Sequence, residues 1–291
     1  MFMLPIYDGT IWRPPSEARS LILQATIGCS NNTCTFCGSY KTKKFRIKSA
    51  EELKADVYTA QPYYKNVRRI FLADGDALVI KTDQLRTILD FLYDQFPHLK
   101  RVGVYASPQN LLQKSVDELI QLKEHGLGII YLGVETGLDS LLQKVRKGVS
   151  RQQMITAGSK VVQSGIPLSV TIIIGLGGPE LSKSHAKETA SLLNSVNPDY
   201  TGALTLMLVE GTELHQQAKM REFQLLAPGK TLQEMYWLVE SLNCHTVFRS
   251  NHASNYLPLG GNLPEDKEQL LQRIKKAQKE GLYKSEYLRG L

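Results

Sequence analysis

Short apolar runs alternate along this chain with longer stretches in which apolar residues recur every three or four positions. LILQATIG (21–28) reads as a buried strand, and Ala50 to Ala60 as an amphipathic helix. RRIFLADGD then precedes a helix from Thr82 to about Phe96, and RVGVYAS precedes one from Leu111 to His125. GIIYLGVET leads to a helix from Arg151 to Ser164, and LSVTIIIGLG to one from Ser182 to Val196. A last strand, YTGALTLMLV, ends near Val209. Strands that are apolar almost throughout need cover on both faces, which intervening helices give to a parallel sheet. Six alternations without a reversal signal predict an α/β fold, an open or partial (β/α)6 parallel barrel.

The two ends of the chain break this rhythm. Residues 1–18 are rich in proline and turn formers and read as an extended lead-in to a core over 19–210. Residues 211–291 read as a mostly helical extension that closes or decorates the barrel. It is interrupted by VFRSNHASNYLPLGGNLPED and ends in a charged helix from about Asp266 to Glu280.

The candidate chemistry falls where a parallel barrel places its active site, on loops after the strands. Cysteines follow the first strand, ADGD the second, ETG the fourth and GLGG the fifth. Composition adds little to this picture. With 42% hydrophobic and 22% charged residues the chain can bury a sizeable core. No apolar run approaches the roughly 20 residues that span a bilayer. The N-terminus lacks the pattern of a signal peptide, so a cytoplasmic protein with no membrane partner is expected. The net charge of +7 includes Lys41, Lys43, Lys44, Arg46 and Lys48; this run reads as a solvated surface and names no partner.

Three of the four cysteines, Cys29, Cys34 and Cys37, lie in G-C-S-N-N-T-C-T-F-C-G, a C-x4-C-x2-C spacing. Thiols this dense on a loop suit an iron–sulfur cluster or zinc. Structural zinc wants four closed ligands, and no second CxxC or nearby histidine pair supplies the fourth. Three cysteines would leave one iron of a cubane open to a small molecule, and Phe36 is placed to shield it. Cys244 is remote, in a segment that looks helical, and reads as a small buried hydrophobe.

A three-cysteine loop after the first strand, with an aromatic residue before the third cysteine, resembles the signature of the radical S-adenosylmethionine (SAM) superfamily. The usual spacing there is C-x3-C-x2-C, so this chain carries one extra residue in the first gap. The resemblance covers about residues 19–210. ADGDAL (73–78) is similar to the motif that takes the SAM amino group. LGVETGLDSLLQKVRKG (132–148) resembles the fourth-strand segment of the Elp3/MiaB/HemN-like group, and GLGG (175–178) the glycine segment beside the adenine and ribose. The resemblance implies a [4Fe–4S] cluster on Cys29, Cys34 and Cys37, with SAM bound by Asp74, Gly75, Asp76, Glu135, Gly175 and Gly177. It also implies an electron donor of flavodoxin or ferredoxin type. Cleavage of SAM would give a 5′-deoxyadenosyl radical that abstracts hydrogen from a substrate the sequence does not identify. A small molecule is expected rather than RNA, since no added RNA-binding domain is visible.

Each of these residues also has a plainer reading. Asp74 and Asp76 could cap the next helix. Glu135, at the end of a buried strand, needs a partner, which Arg146 or Lys147 could supply. Gly175, Gly177 and Gly178 could simply make a tight turn. Ser107 and Gln109 could line the same mouth or be ordinary polar strand ends. His252, in SNHASN (250–255), could face substrate or act as a local hydrogen-bonder. The rival from another class is a zinc-stabilised nucleic-acid-binding module using the basic run, although its aromatic and basic interleaving is sparse.

Overall fold

The computed structural model describes residues 7–289, so residues 1–6 of the lead-in and the last two of the extension lie outside it. The strands are β1 (Leu21–Gln24), β2 (Thr26–Ile27), β3 (Arg46–Ile47), β4 (Arg69–Ala73), β5 (Arg101–Ala106), β6 (Leu127–Glu135), β7 (Leu168–Ile174), β8 (Tyr200–Thr205), β9 (Thr246–Arg249) and β10 (Gly260–Leu263). The first helices are α1 (Ala50–Ala60), α2 (Thr82–Gln95), α3 (Pro108–Gln113), α4 (Val116–Glu124) and α5 (Asp139–Lys144). They are followed by α6 (Arg151–Ser164), α7 (Gly178–Val196), α8 (Glu213–Lys219), α9 (Pro228–Ser241) and α10 (Lys267–Glu280). The α/β alternation expected from the apolar runs is therefore present.

The chain divides into two compact units. One holds Met1–Asn32, Ser39–Leu132 and Lys160–Leu168; the other holds Thr33–Gly38, Gly133–Ser159 and Ser169–Leu291. In the first unit β1, β4, β5 and the first part of β6 lie side by side in parallel. β2 and β3 form a separate antiparallel pair.

In the first unit Leu21 lies beside Ile70, and Arg69 beside Arg101, in parallel register. Ile22, Phe71, Ala73, Ile129 and Tyr131 form one apolar cluster. The Phe71 ring meets Tyr105 and Tyr131 edge-on, at centroid distances of 4.9 and 5.7 Å, the geometry that ring quadrupoles favour. Glu17 is fully buried next to this cluster, paired with Arg101 and accepting from the Tyr131 hydroxyl at 2.5 Å. These bonds satisfy a carboxylate whose burial would otherwise be costly, and they tie the lead-in to β5 and β6.

In the second unit the pleat of β7 puts Val170, Ile172 and Ile174 on a buried face. Ser169, Thr171 and Ile173 share a half-exposed one. β7 pairs with β8, and β8 with β9, all parallel; β10 closes antiparallel on β9.

Several elements differ from the sequence reading. The run expected as one strand over 21–28 is two, β1 and β2, in different sheets, and the strand expected to end near Val209 stops at Thr205. The helix expected over 111–125 is two, because the Ser115 side chain accepts from Glu118 N and its amide donates back to Glu118, a capping box that starts α4 afresh. Helix α7 begins at Gly178 rather than Ser182, with Pro179 in its first turn, where a missing N–H costs nothing. The extension is helical as expected, but it also carries β9 and β10, and Cys244 lies between α9 and β9 rather than in a helix.

Candidate functional site

In the first unit, the start of the cysteine loop is anchored by the two aspartates that follow β4. Asp74 is fully buried. Its Oδ2 accepts from Gly28 N at 2.9 Å and Gln24 Nε2 at 3.1 Å, and pairs with Lys43 Nζ at 2.8 Å. Its Oδ1 is buried with no hydrogen-bond partner among the described residues. Asp76 is equally buried; it accepts from Ser107 N at 3.0 Å and from the side chains of Ser30 and Asn110. Gly75 lies between them, and its N–H donates to Gly28 O at 3.0 Å. A Cβ at Gly75 would sit 2.7 Å from Cys29 Cβ and 2.8 Å from the Tyr40 ring, so only glycine allows this approach. The structure thus brings Asp74, Gly75, Asp76 and Ser107 to the loop carrying Cys29. Gln109 is half-buried on α3.

In the second unit, Thr35 N donates to Val145 O at 3.1 Å, Leu214 N to Thr35 O at 3.0 Å, and Thr33 Oγ1 to Arg146 O at 3.3 Å. Cys34 is buried and Cys37 half-buried. Phe36 packs against Leu141, Val145, Leu176, Leu206, Leu214 and Phe223. Glu135 ends β6 at φ +63° and pairs with Lys147 Nζ at 2.9 Å. Of the two cations considered from sequence Lys147 is the partner; Arg146 pairs with Glu213 at 2.8 Å. Gly133 makes room for this pair, since a Cβ there would lie 2.3 Å from Glu135 Oε1. Gly175 and Gly178 take φ of +85° and +62°, the left-handed region that glycine enters without strain; Gly177 does not.

This unit also contains a buried polar group that the sequence reading missed. Glu234 on α9 is fully buried, accepts from Gly175 N at 2.6 Å and from Ser182 Oγ at 2.5 Å, and burial pushes its carboxyl up to about 7. His185 lies 3.6 Å from it. The histidine Nε2 donates to Ile173 O at 3.0 Å and Nδ1 accepts from Thr136 Oγ1 at 2.8 Å, an assignment set by the carbonyl partner. Burial lowers His185 to about 4, so the ring is neutral at pH 7. One sequence signal could have found both residues: Glu234 and His185 sit on the apolar stripes of their helices, with Thr231, Met235 and Leu238 and with Ser182, Ala186 and Thr189. A titratable group in a buried stripe needs a partner.

His252 is engaged locally: its Nδ1 accepts from Ser254 N at 3.2 Å. The SNHASN loop itself is held to β8, with Thr205 N donating to Ser254 Oγ at 3.2 Å and Asn255 Nδ2 to Ala203 O at 2.8 Å.

None of the four cysteines is in a disulfide. Among the described residues no three His, Cys, Asp or Glu side chains come together as a metal-binding group. The fit to an iron–sulfur cluster therefore rests on the donor set, three thiols within nine residues, and on the cradle at Gly75 that lets Cys29 approach the strand end. Among the described residues no helix is long and apolar enough to cross a membrane.

Fold and site together define an α/β protein of parallel strands whose thiol-bearing loop follows the first strand. Residues 23–193 match the radical SAM superfamily, and the chain belongs to it. Members of this superfamily are enzymes that use a [4Fe–4S] cluster and SAM. The heme chaperone HemW of Bacillus subtilis (strain 168) is 24% identical over 207 residues, 69% of this chain and 52% of HemW. The chain therefore spans about half the length of this curated relative. In fold, it matches the crystal structure of methylornithine synthase (PylB) with a TM-score of 0.55 at 15% identity, covering 87% of this chain and 68% of that one. It matches coproporphyrinogen III oxidase (HemN) from Escherichia coli with a TM-score of 0.55 at 17% identity, covering 77% and 54%. These likenesses assign the chain the partial barrel of radical SAM proteins with Elp3/HemN-like members.

Proposed function

We propose that this protein cleaves SAM reductively at a [4Fe–4S] cluster held by Cys29, Cys34 and Cys37, and uses the radical formed to take hydrogen from a small-molecule substrate. The observation that carries this reading is the set of three thiols on the loop after β1, inside the segment that matches the superfamily. Cluster and SAM together supply a 5′-deoxyadenosyl radical, able to abstract hydrogen from an unreactive carbon. The chain's own residues bind, orient and shield. Asp74, Gly75 and Asp76 fix the start of the cysteine loop and present a buried carboxylate oxygen, Asp74 Oδ1, that has no hydrogen-bond partner among the described residues. Glu135, held by Lys147, and the turn at Gly175 and Gly177 complete the proposed SAM contacts. Phe36 keeps water from the thiols by packing into an apolar cluster.

A small molecule rather than RNA is supported by the basic run. Three of its five cations, Lys43, Arg46 and Lys48, each pair with a carboxylate, on Asp74, Glu52 and Asp56, which lowers the positive charge open to a phosphate backbone. We propose an electron donor of flavodoxin or ferredoxin type, an oxidoreductase or transferase reaction and a cytoplasmic location. The zinc-stabilised module has no support in the family match. Anaerobic reconstitution followed by iron and sulfide analysis tests the ligand set. The parent should hold about four irons per chain, the stoichiometry of the cluster, and Cys29→Ala, Cys34→Ala and Cys37→Ala should each lose most of it, while Cys244→Ala keeps it. Retention of the full iron content by all three loop variants refutes the assignment.

A further inference from the structure

The glycine turn between β7 and α7 is held by a residue from far along the chain. Gly175 stands at φ +85° and donates its N–H to Glu234 Oε1 at 2.6 Å rather than into the sheet. The turn closes with Gly178 N donating to Gly175 O at 3.1 Å, and Ile173, just before it, is held by His185 Nε2 at 3.0 Å. Ser182, in the first turns of α7, donates to the other oxygen of the same carboxyl. Glu234 belongs to the extension, outside residues 23–193 that match the superfamily, and its side chain is wholly buried.

A carboxyl in such a place is costly unless its partners need it. An apolar side chain would fill the volume equally well but would leave the Gly175 amide and the Ser182 hydroxyl without an acceptor. What the carboxyl does that packing cannot is fix the direction of the Gly175 peptide.

We infer that Glu234 is a positioning residue for SAM: from α9 it sets the backbone of the Gly175–Gly178 turn in the orientation that receives the adenosyl group. This rests on the proposed function. The chain's extension, in this account, is a working part of the cofactor site.

Two variants separate positioning from packing. Glu234→Met keeps the volume and removes the acceptor, while Glu234→Gln keeps an acceptor for Gly175 N–H. SAM affinity of the iron-loaded protein is read by equilibrium dialysis, iron content by analysis, and amide exchange over residues 173–178 by mass spectrometry. E234M should weaken SAM binding and speed exchange across the turn by about ten-fold or more, as one lost buried hydrogen bond implies, with iron content unchanged. E234Q should stay within about three-fold of the parent on both readouts, a rescue that a merely volume-filling role would not produce. If E234M does not fold, Ser182→Ala carries the test: a measurable loss of SAM affinity at full iron content supports the inference, and unchanged affinity overturns it. A parent that binds SAM while E234M binds it equally well overturns the inference alone. A parent that loads iron but binds no SAM overturns the functional reading and the inference with it.

Discussion

At the scale of single residues, the buried charges decide what can be changed. Lys43 and Asp74 pair at 2.8 Å with both side chains almost wholly out of water. Replacing Lys43 by Met leaves Asp74 buried without its cation, which should cost about 3–5 kcal/mol. Denaturant unfolding measures this, and a loss below about 1 kcal/mol, the worth of an exposed pair, contradicts the reading of Asp74 as the anchor of the cysteine loop. Glu234 and His185 make a second, pH-dependent case. The folded-state value of Glu234, about 7, lies above its ordinary 4.5, so stability drains away as pH rises from about 4.5 through 7. The folded value of His185, about 4, lies below its ordinary 6.5, so stability is lost as pH falls from 6.5 toward 4. Between 4.5 and 6.5 the two slopes oppose, and above 6.5 only that of Glu234 remains. Glu234→Gln should therefore gain on the parent as pH rises from 5 to 8, by up to about 3 kcal/mol. Thermal melts at both pH values check this; an equal gap between the two proteins at pH 5 and pH 8 contradicts it.

At the scale of elements, the strand ends matter more than the strands. Gly75→Ala would place a Cβ 2.7 Å from Cys29 Cβ and 2.8 Å from the Tyr40 ring, and both must shift. Overpacking of this kind costs about 1–3 kcal/mol, but its main expected effect is local: iron content should fall well before the melting temperature does. An Ala variant with parental iron loading shows that Cys29 has no need of the close approach. The elements also show how far a single sequence can be read. Strands β1, β4, β5 and β6 are legible because most of their residues are buried and apolar, and β7 because its buried face, Leu168, Val170, Ile172 and Ile174, is wholly apolar. Strand β9, four residues of TVFR, and β10, GGNL, are not, because runs so short and glycine-rich look like turns until a neighbouring edge pairs with them. The start of α7 was hidden for a similar reason, since Gly178–Pro179 reads as a turn and serves here as a helix start.

For the whole molecule, the legible part of the candidate site is its proposed donor set and the hidden part its support. Cys29, Cys34 and Cys37 announce themselves by spacing, and the aspartates, Glu135 and the glycines by their place after strands. That Asp74 pairs with Lys43, and that Glu234 holds Gly175, are contacts over 31 and 59 positions which no local pattern encodes. The extension belongs in the same account. Tyr200, Thr201 and Gly202 of β8 pair with Val247, Phe248 and Arg249 of β9, so a chain ending at Glu210 would expose a sheet edge and lose Glu234. Such a chain should lose its cooperative unfolding transition; a sharp melt like the parent's shows that 19–210 stands alone.

The central claim is that the three loop cysteines support radical chemistry on SAM. Its most direct measurement is the 5′-deoxyadenosine released when the anaerobically reconstituted protein is mixed with SAM and dithionite, quantified by chromatography. The account predicts release by the parent and none above background from Cys29→Ala, Cys34→Ala or Cys37→Ala. A fully iron-loaded parent that releases none, or cysteine variants that release as much as the parent, contradicts it.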